Sequence, residues 1–373
     1  MSLKIGRIAL PVPFCQAGLE GYSDVPMRLV ARRRGCAYAL TEAMSDEMVA
    51  MGGGHVKRRL AVRDDDHPLA GQLMGADPAM MARAAQVLST LGYDAVDVNI
   101  ACPVRKQARL RGGHLQREPA TAIAILKAVR DAVPAHLPVT VQLRRATDES
   151  PEAADRFAEI FAGVWAAGLD AACVHGRTVA QFYQGQADWT FLAGLKRAYP
   201  RAVILGSGDL FTAHDALRMI ETTGVDGVWL ARGAIGNPWI FRDAAALWRD
   251  RAAPLAPPTL GEQRAALREH FALVEEVYPG ERVVGRMKGV LLKYARFHPE
   301  LEAVRQAALA ARTSADLELL FGRFYAEGLD GAGVAGTAVF ADPFTGGLGG
   351  GGLGCTAGVK NKAESGGTRS TTE

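Results

Sequence analysis

Pro11-Val12-Pro13-Phe14-Cys15-Gln16-Ala17, running into Gly18-Leu19-Glu20-Gly21, is the stretch that decides the fold. Its first half is an apolar, β-rich run and reads as a strand. An open doubly wound sheet would follow its first strand with a Gly-x-Gly-x-x-Gly turn. Gly18–Gly21 is not that turn, so the sheet is expected to close on itself. Further β-rich runs recur at 38–41, 69–74, 95–99, 139–143, 171–175, 203–206 and 227–230. Stretches of helical period lie between them, as at 78–91, 119–133, 151–167 and 212–223. Eight strands alternating with helices predict an α/β fold, a (β/α)8 TIM barrel.

Barrel enzymes keep their chemistry at the C-terminal ends of the strands. In chain order those ends carry Gly18–Gly21, Glu42, Gln72, Asn99 with Cys102, Gln142 with Arg144, His175 with Arg177, Ser207-Gly208-Asp209, and Ala231-Arg232-Gly233. Each alone is weak evidence, since His175 could be a satisfied core histidine and Arg177 a solvated charge. Polar groups at nearly all eight mouths are a different matter, because a barrel without a site would scatter them over both ends. The glycines after strand seven and Arg232 after strand eight match a phosphate cradle, where backbone N–H groups and an arginine meet an anion. His114 and His175 have no metal-ligand spacing, and no metal is expected.

Val96-Asp97-Val98-Asn99-Ile100-Ala101-Cys102-Pro103 is the stretch richest in chemistry. Pro103 must end the strand, so Asn99 and Cys102 stand where strand gives way to loop. A cysteine is ordinarily a small buried hydrophobe. Here Arg105, Lys106, Arg109 and Arg111 follow it, and thiols gain reactivity in electropositive, partly exposed sites.

Composition sets the wider frame. An apolar fraction of 49% and a charged fraction of 22% are those of an ordinary globular protein, and a net charge of +3 names no partner by itself. The five cysteines, at 15, 36, 102, 173 and 355, form no Cys-x-x-Cys pair, which argues for a reducing compartment. With no apolar leader and no run long enough for a membrane helix, a cytoplasmic, monomeric protein is expected.

The barrel domain is placed at residues 1–250. A proline-rich linker, 251–258, leads to Thr259-Leu260-Gly261-Glu262, a capping box that opens a small all-helical domain at 259–328. On it Arg282, Arg286, Lys293 and Arg296 fall on one face, within about 80° of one another, which suits a phosphate backbone. Residues 330–373, Gly-rich and then polar, are expected to be a disordered tail.

From about residue 9 to 320 the chain resembles the tRNA-dihydrouridine synthases, as a divergent member. The segments that carry the resemblance are Gly21-Tyr22-Ser23-Asp24-Val25-Pro26-Met27-Arg28, Thr41-Glu42, Gln72-Leu73-Met74-Gly75, Asp97 to Pro103, Val174-His175-Gly176-Arg177-Thr178, Gly206-Ser207-Gly208-Asp209, Ala231 to Trp239 and Arg286-Met287-Lys288-Gly289. The resemblance implies an FMN enzyme that reduces uridine to 5,6-dihydrouridine in RNA, most simply tRNA, with NADPH as electron donor. It implies that Cys102 protonates the uracil ring while reduced FMN delivers hydride to the adjacent carbon. It places Gly18, Leu19, Glu20, Gln72, Gln142, His175, Ser207, Gly208, Asp209, Ala231 and Arg232 around the flavin. Asn99, Arg144, Arg177, Arg105, Lys106, Arg282, Arg286, Lys293 and Arg296 fall to the substrate and its RNA. A base inside folded RNA must be flipped out before such chemistry, which fits a deep mouth flanked by basic groups.

The departures are as specific as the matches. Gly18-Leu19 stands for the family's Pro-Met, Ala101 for the glycine before the cysteine, Gln142 for a flavin-contacting lysine, and Ala231 for a glycine; the loop near Gly112-Gly113 is short. Two other functions compete: a barrel flavoprotein acting on a small free pyrimidine, like the dihydroorotate and dihydropyrimidine dehydrogenases, and an RNA-binding protein that has lost catalysis.

Overall fold

The computed structural model describes residues 2–52, 60–103, 111–278, 280, 282–329 and 331–336 of the 373-residue chain. An antiparallel hairpin comes first, β1 (Leu3–Ile5) and β2 (Ile8–Leu10). The barrel strands are β3 (Phe14–Gln16), β4 (Tyr38–Leu40), β6 (Leu69–Met74), β7 (Ala95–Ile100), β8 (Val139–Arg144), β9 (Ala171–His175), β10 (Ile204–Ser207) and β11 (Gly227–Leu230). All pair in parallel, and β11 returns to β3, so the sheet is closed. A two-residue strand, β5 (Met44–Ser45), adds to the upper end of β6.

The outer helices are α1 (Val25–Arg32), α2 (Asp46–Met51), α3 (Pro78–Ser89), α4 (Pro119–Ala132), α5 (Pro151–Ala166), α6 (Trp189–Ala198), α7 (Ala213–Thr223) and α8 (Trp239–Arg249). Their starts are written locally. Asp77 and Ser150 cap α3 and α5, each followed by a proline at the first helical position, where its missing N–H costs nothing.

The alternation of the strands splits the core in two. One set of side chains packs outward against the helices. The other fills the barrel with Cys15, Tyr38, Cys173, Leu205 and Trp229, and the β1–β2 hairpin plugs its lower end with Leu3, Ile5 and Leu10. The hairpin and β5 escape a reading based on βα alternation, because three-residue and two-residue strands carry no measurable period.

Among the described residues four α-helices follow the barrel: α9 (Leu260–Val277), α10 (Arg282–Tyr294), α11 (Leu301–Ala310) and α12 (Ser314–Phe324). The Thr259–Glu262 capping box is present. These helices share an apolar core of their own, which also takes in Leu29 and Val30 of α1 and Trp239 of α8. Around that contact the seam is ionic. Glu262, Glu269 and Glu276, seven residues apart and so on one face of α9, meet Arg242 at 2.6 Å, Arg33 and Arg34 at 2.8 and 3.0 Å, and Arg63 at 2.5 Å.

Residues 331–336 are not a free tail. The Gly331 carbonyl accepts from the Leu260 N–H, one of the amides that a helix start leaves unpaired, and the Val334 N–H donates to Phe297. The expected disordered tail beyond 336 lies outside the described residues.

Candidate active site

The upper end of the barrel is floored by side-chain amides. Asn99 and Gln142 are register partners on β7 and β8, and Gln72 is the partner of Asp97 on β6. Asn99 Nδ2 donates to Gln72 Oε1 at 2.9 Å and to Gln142 Oε1 at 3.3 Å, while Gln72 Nε2 donates to Gln142 Oε1 at 3.0 Å. Beneath them lies Asp97, fully buried, accepting from Gln72 Nε2 at 2.9 Å and from the Thr140 hydroxyl. Burial pushes its carboxyl up to about 6, against the pull of those two hydrogen bonds. Sequence reading passed over Asp97 and Thr140. The available signal was a carboxylate two residues before Asn99, hence on the same face, in a strand otherwise apolar.

Cys102 stands beside this floor, half-buried. Its N–H and that of Ala101 both donate to Asn99 Oδ1 at 3.0 Å, so one asparagine joins the floor to the cysteine loop. The Gly113 N–H holds the Cys102 carbonyl at 2.9 Å. Gly112 has φ 54°, and a side chain there would press on Cys102, its Cβ 3.1 Å from the cysteine's.

The expected anion cradle falls at β9–β11. His175, Ser207, Gly208, Asp209, Trp229, Ala231 and Arg232 line a narrow cleft open to solvent. Arg232 is held between the Tyr183 and Phe211 rings, 5.0 Å from each centroid, and pairs with Asp209 at 3.2 Å. Asp209 also pairs with Arg177 at 2.8 Å and accepts the Ala187 N–H. A carboxylate engaged by two arginines orients them and does not itself hold a phosphate. The Ser207 hydroxyl donates to the Trp229 carbonyl at 3.3 Å. His175 Nδ1 accepts from the Arg177 N–H at 3.1 Å, which assigns the ring proton to Nε2. Burial, and then Arg144, Arg177 and Arg232, hold its pKa well below the usual value, so the imidazole is neutral.

On the opposite side the first loop is fastened by Ser23, whose hydroxyl accepts from the Leu19 N–H and donates to Ala17 O. Glu20 is exposed, and Gly21 N–H donates to Glu42 at 2.8 Å. A Cβ at Gly18 would lie 2.4 Å from Thr41 O and 3.0 Å from Gln72 Oε1. Only glycine lets this backbone lie so close to the amide floor.

The expected RNA contacts divide sharply. Arg144 and Arg177 are buried and committed inward. Arg144 donates to Ala101 O, Thr178 O and Phe182 O, and Arg177 to Gln184 O and Gly185 O, so both shape loops. Arg105 and Lys106 lie outside the described residues, as does the Arg282 side chain. Arg111 pairs with Glu47 at 2.6 Å.

The expected basic stripe is not a uniform solvated face. Arg296 lies in a 3₁₀ turn, Ala295–Phe297, is 6% exposed, and donates to Gly233 O at 3.3 Å. Arg286 covers the Tyr278 ring at 3.7 Å and pairs with Asp24, the cap of α1, at 2.9 Å. Lys293 is half-buried against Gly236. Helical angle alone does not register that this face turns toward the barrel.

The residues present fit a flavin mononucleotide. Donors and acceptors of the amide floor lie at the centre, and an arginine flanked by backbone turns lies at the phosphate end. Trp229 Nε1 and Arg177 Nη1 are buried there without a partner inside the protein. Among the described residues no helix is long and apolar enough to cross a membrane, and no cluster of three ligating side chains could hold a metal.

A family model described as dihydrouridine synthase (Dus) matches residues 15–320. The chain is 34% identical over 281 residues to the tRNA-dihydrouridine synthase B of Pseudomonas aeruginosa, covering 75% of this chain and 82% of that protein. It is 31% identical over 361 residues to a probable tRNA-dihydrouridine synthase of Mycobacterium tuberculosis, covering 93% and 88%. Among solved structures it is similar in fold to a 2-naphthoyl-CoA reductase (TM-score 0.50, 13% identity, 86% of this chain and 69% of that one). A 6-hydroxypseudooxynicotine amine oxidase from Pseudomonas geniculata is similar too (TM-score 0.52, 13% identity, 75% and 55%).

Proposed function

The chain belongs to the dihydrouridine synthase family, and from that premise we propose that it reduces uridine to 5,6-dihydrouridine in tRNA, with NADPH as the electron donor. FMN, when bound, supplies the hydride for one carbon of the uracil double bond. Cys102 supplies the proton to the other. Gln72, Asn99 and Gln142 present amide donors and acceptors to the rings above them. Arg232, positioned by Asp209, Tyr183 and Phe211, takes the phosphate. The observation that carries this reading is the Asn99 amide, which bonds the floor with Nδ2 and the backbone of Cys102 with Oδ1. The thiol is thereby held at a fixed place beside the ring site. We assign the barrel to chemistry and the helices at 259–328 to the RNA, because a free pyrimidine would need no second core of this size.

The test is direct. The purified protein should carry flavin absorbance, and with NADPH it should form dihydrouridine in tRNA from cells lacking it, read by nucleoside mass spectrometry. Cys102→Ala should keep the flavin and lose turnover by roughly 10²–10⁴-fold, the usual share of a general acid. Turnover at the parent rate would overturn the assignment of Cys102. Reduction of free pyrimidines but not tRNA would favour the small-substrate reading.

A further inference from the structure

We propose that Phe182 is a stacking platform for a nucleobase of the RNA, flanking the uridine held beside Cys102. The proposal rests on the function just given and deepens it by naming a residue that meets the neighbouring nucleotide.

Among the described residues two that are not glycine adopt left-handed backbone, Phe182 (φ 54°) and Asp209 (φ 57°). Aspartate tolerates that region through local hydrogen bonding, but a bulky aromatic is strained in it. Such strain persists only where the surroundings impose it, and it clusters at functional sites. Phe182 is 37% exposed and is the one aromatic among the large apolar residues open to that degree among the described residues. Burial therefore does not explain the residue, and its backbone disfavours it.

The surroundings that impose it lead to the thiol. Arg144 Nη1 donates to Phe182 O and to Thr178 O, each at 2.7 Å, while its Nε donates to Ala101 O at 3.0 Å. One buried guanidinium thus joins the residue before Cys102 to the backbone of Phe182. Gly113, which holds the Cys102 carbonyl, lies so close to Val179 of the same loop that an added Cβ would sit 2.7 Å from Val179 Cγ2. Behind Phe182 its ring meets Tyr183 edge-on, with centroids 4.8 Å apart and planes at 85°. Tyr183 is in turn set between Arg144 and Arg232, at 5.7 and 5.0 Å.

The ring is therefore supported from within, open on its outer side, and placed at a cationic mouth. Every nucleobase has a π-face, so an exposed aromatic beside a catalytic pocket suits the neighbour of a flipped base. The exposed backbone of the RNA then follows the positive field of the arginines.

Phe182→Gly, Phe182→Leu and Phe182→Trp separate stacking from packing. The probe is tRNA from cells lacking the protein, and the readouts are Kd at fixed salt, Tm, and the rate of flavin reduction by NADPH without RNA. Phe182→Gly and Phe182→Leu should weaken Kd by roughly 5–150-fold, the range of stacking losses per base. Phe182→Trp should keep parent affinity. Flavin reduction should be unchanged in all three, and the Tm of Phe182→Gly should equal or exceed that of the parent, because glycine relieves the backbone. Parent affinity in Phe182→Gly and Phe182→Leu overturns the proposal, as does a loss that tryptophan fails to restore. Failure of the underlying function reads differently: the parent protein itself would form no dihydrouridine in this RNA.

Discussion

Gln142 Oε1 accepts a hydrogen bond from Gln72 Nε2 at 3.0 Å, across 70 positions of sequence. Residue 142 is therefore an acceptor toward the floor, where a lysine could only donate. Gln142→Lys removes that acceptor, yet Gln72 Nε2 keeps Asp97 and Asn99 Nδ2 keeps Gln72 Oε1, so the floor survives. The new ammonium adds positive charge at the ring site, and charge there is one of the protein's levers on flavin electronics. The two-electron potential of the bound flavin should rise by tens of millivolts, where about 30 mV corresponds to about 1.4 kcal/mol. Spectroelectrochemical titration of both proteins measures it. An unchanged potential would mean that residue 142 does not act on the flavin, and a lower one that its charge does not stabilise the reduced form.

Arg296 should behave as a structural residue. It is buried, donates to Gly233 O, and covers the Phe297 ring at 4.8 Å, although burial lowers its pKa to about 10 and leaves it charged at neutral pH. Arg296→Gln should destabilise the protein by about 1–3 kcal/mol, the usual cost of disturbing a buried charged donor. The log–log salt slope of tRNA binding should stay the same. A slope lower by roughly 0.7–0.9 would restore Arg296 to phosphate contact.

Gly236 is where the barrel touches α10. It has φ 62°, and an added Cβ would lie 2.5 Å from Lys293 Cβ and 2.7 Å from its carbonyl carbon. Gly236→Ala should therefore push the helices off the barrel and cost about 1–3 kcal/mol. The surrounding Arg–Glu pairs are mostly exposed and each is worth little, so they cannot offset this. Denaturant unfolding followed with limited proteolysis near 251–258 should reveal a helical segment released first; cleavage at the parent rate would count against the contact.

The barrel was legible because its signal is carried by many residues at once: eight apolar runs with helical periods between them. Gln72, Asn99, Gln142, His175 and Arg232 were legible as a set because each stands in the C-terminal half of a barrel strand or just after it. What each side chain does was not. Whether Arg144 faces RNA or ties Ala101 to Phe182 depends on loops that meet only in three dimensions, 34 to 43 positions apart. The burial of Arg296 was hidden for the same reason, since helical angle places four cations on one face but cannot say which part of it turns inward. Phe182 left no trace in sequence at all, because strain is a property of backbone and not of composition.

Asp97 offers the sharpest test of the floor, because it is a carboxylate buried among neutral partners. Burial raises its pKa from 3.8 to about 6, and Tyr38 and Cys173, the titratable neighbours inside the barrel, add no cation. In the unfolded chain the same group ionises near its ordinary value of about 3.9. Between the two values the folded state binds more protons than the unfolded one, so stability falls as pH rises through roughly 4 to 6 and is level above. The displacement corresponds to about 3 kcal/mol of strain at neutral pH. Asp97→Asn keeps an oxygen for Gln72 Nε2 and removes the charge, so it should flatten that slope and be the more stable protein at pH 8 while matching the parent near pH 4. Its flavin should nevertheless bind less well or shift in absorbance, because the new amide donor competes with Gln72 and Thr140 for orientation. Urea unfolding at pH steps from 4 to 8 decides the first part and flavin titration the second. A parent-like slope in Asp97→Asn would mean that Asp97 titrates alike in the folded and unfolded chain and that the slope comes from other groups.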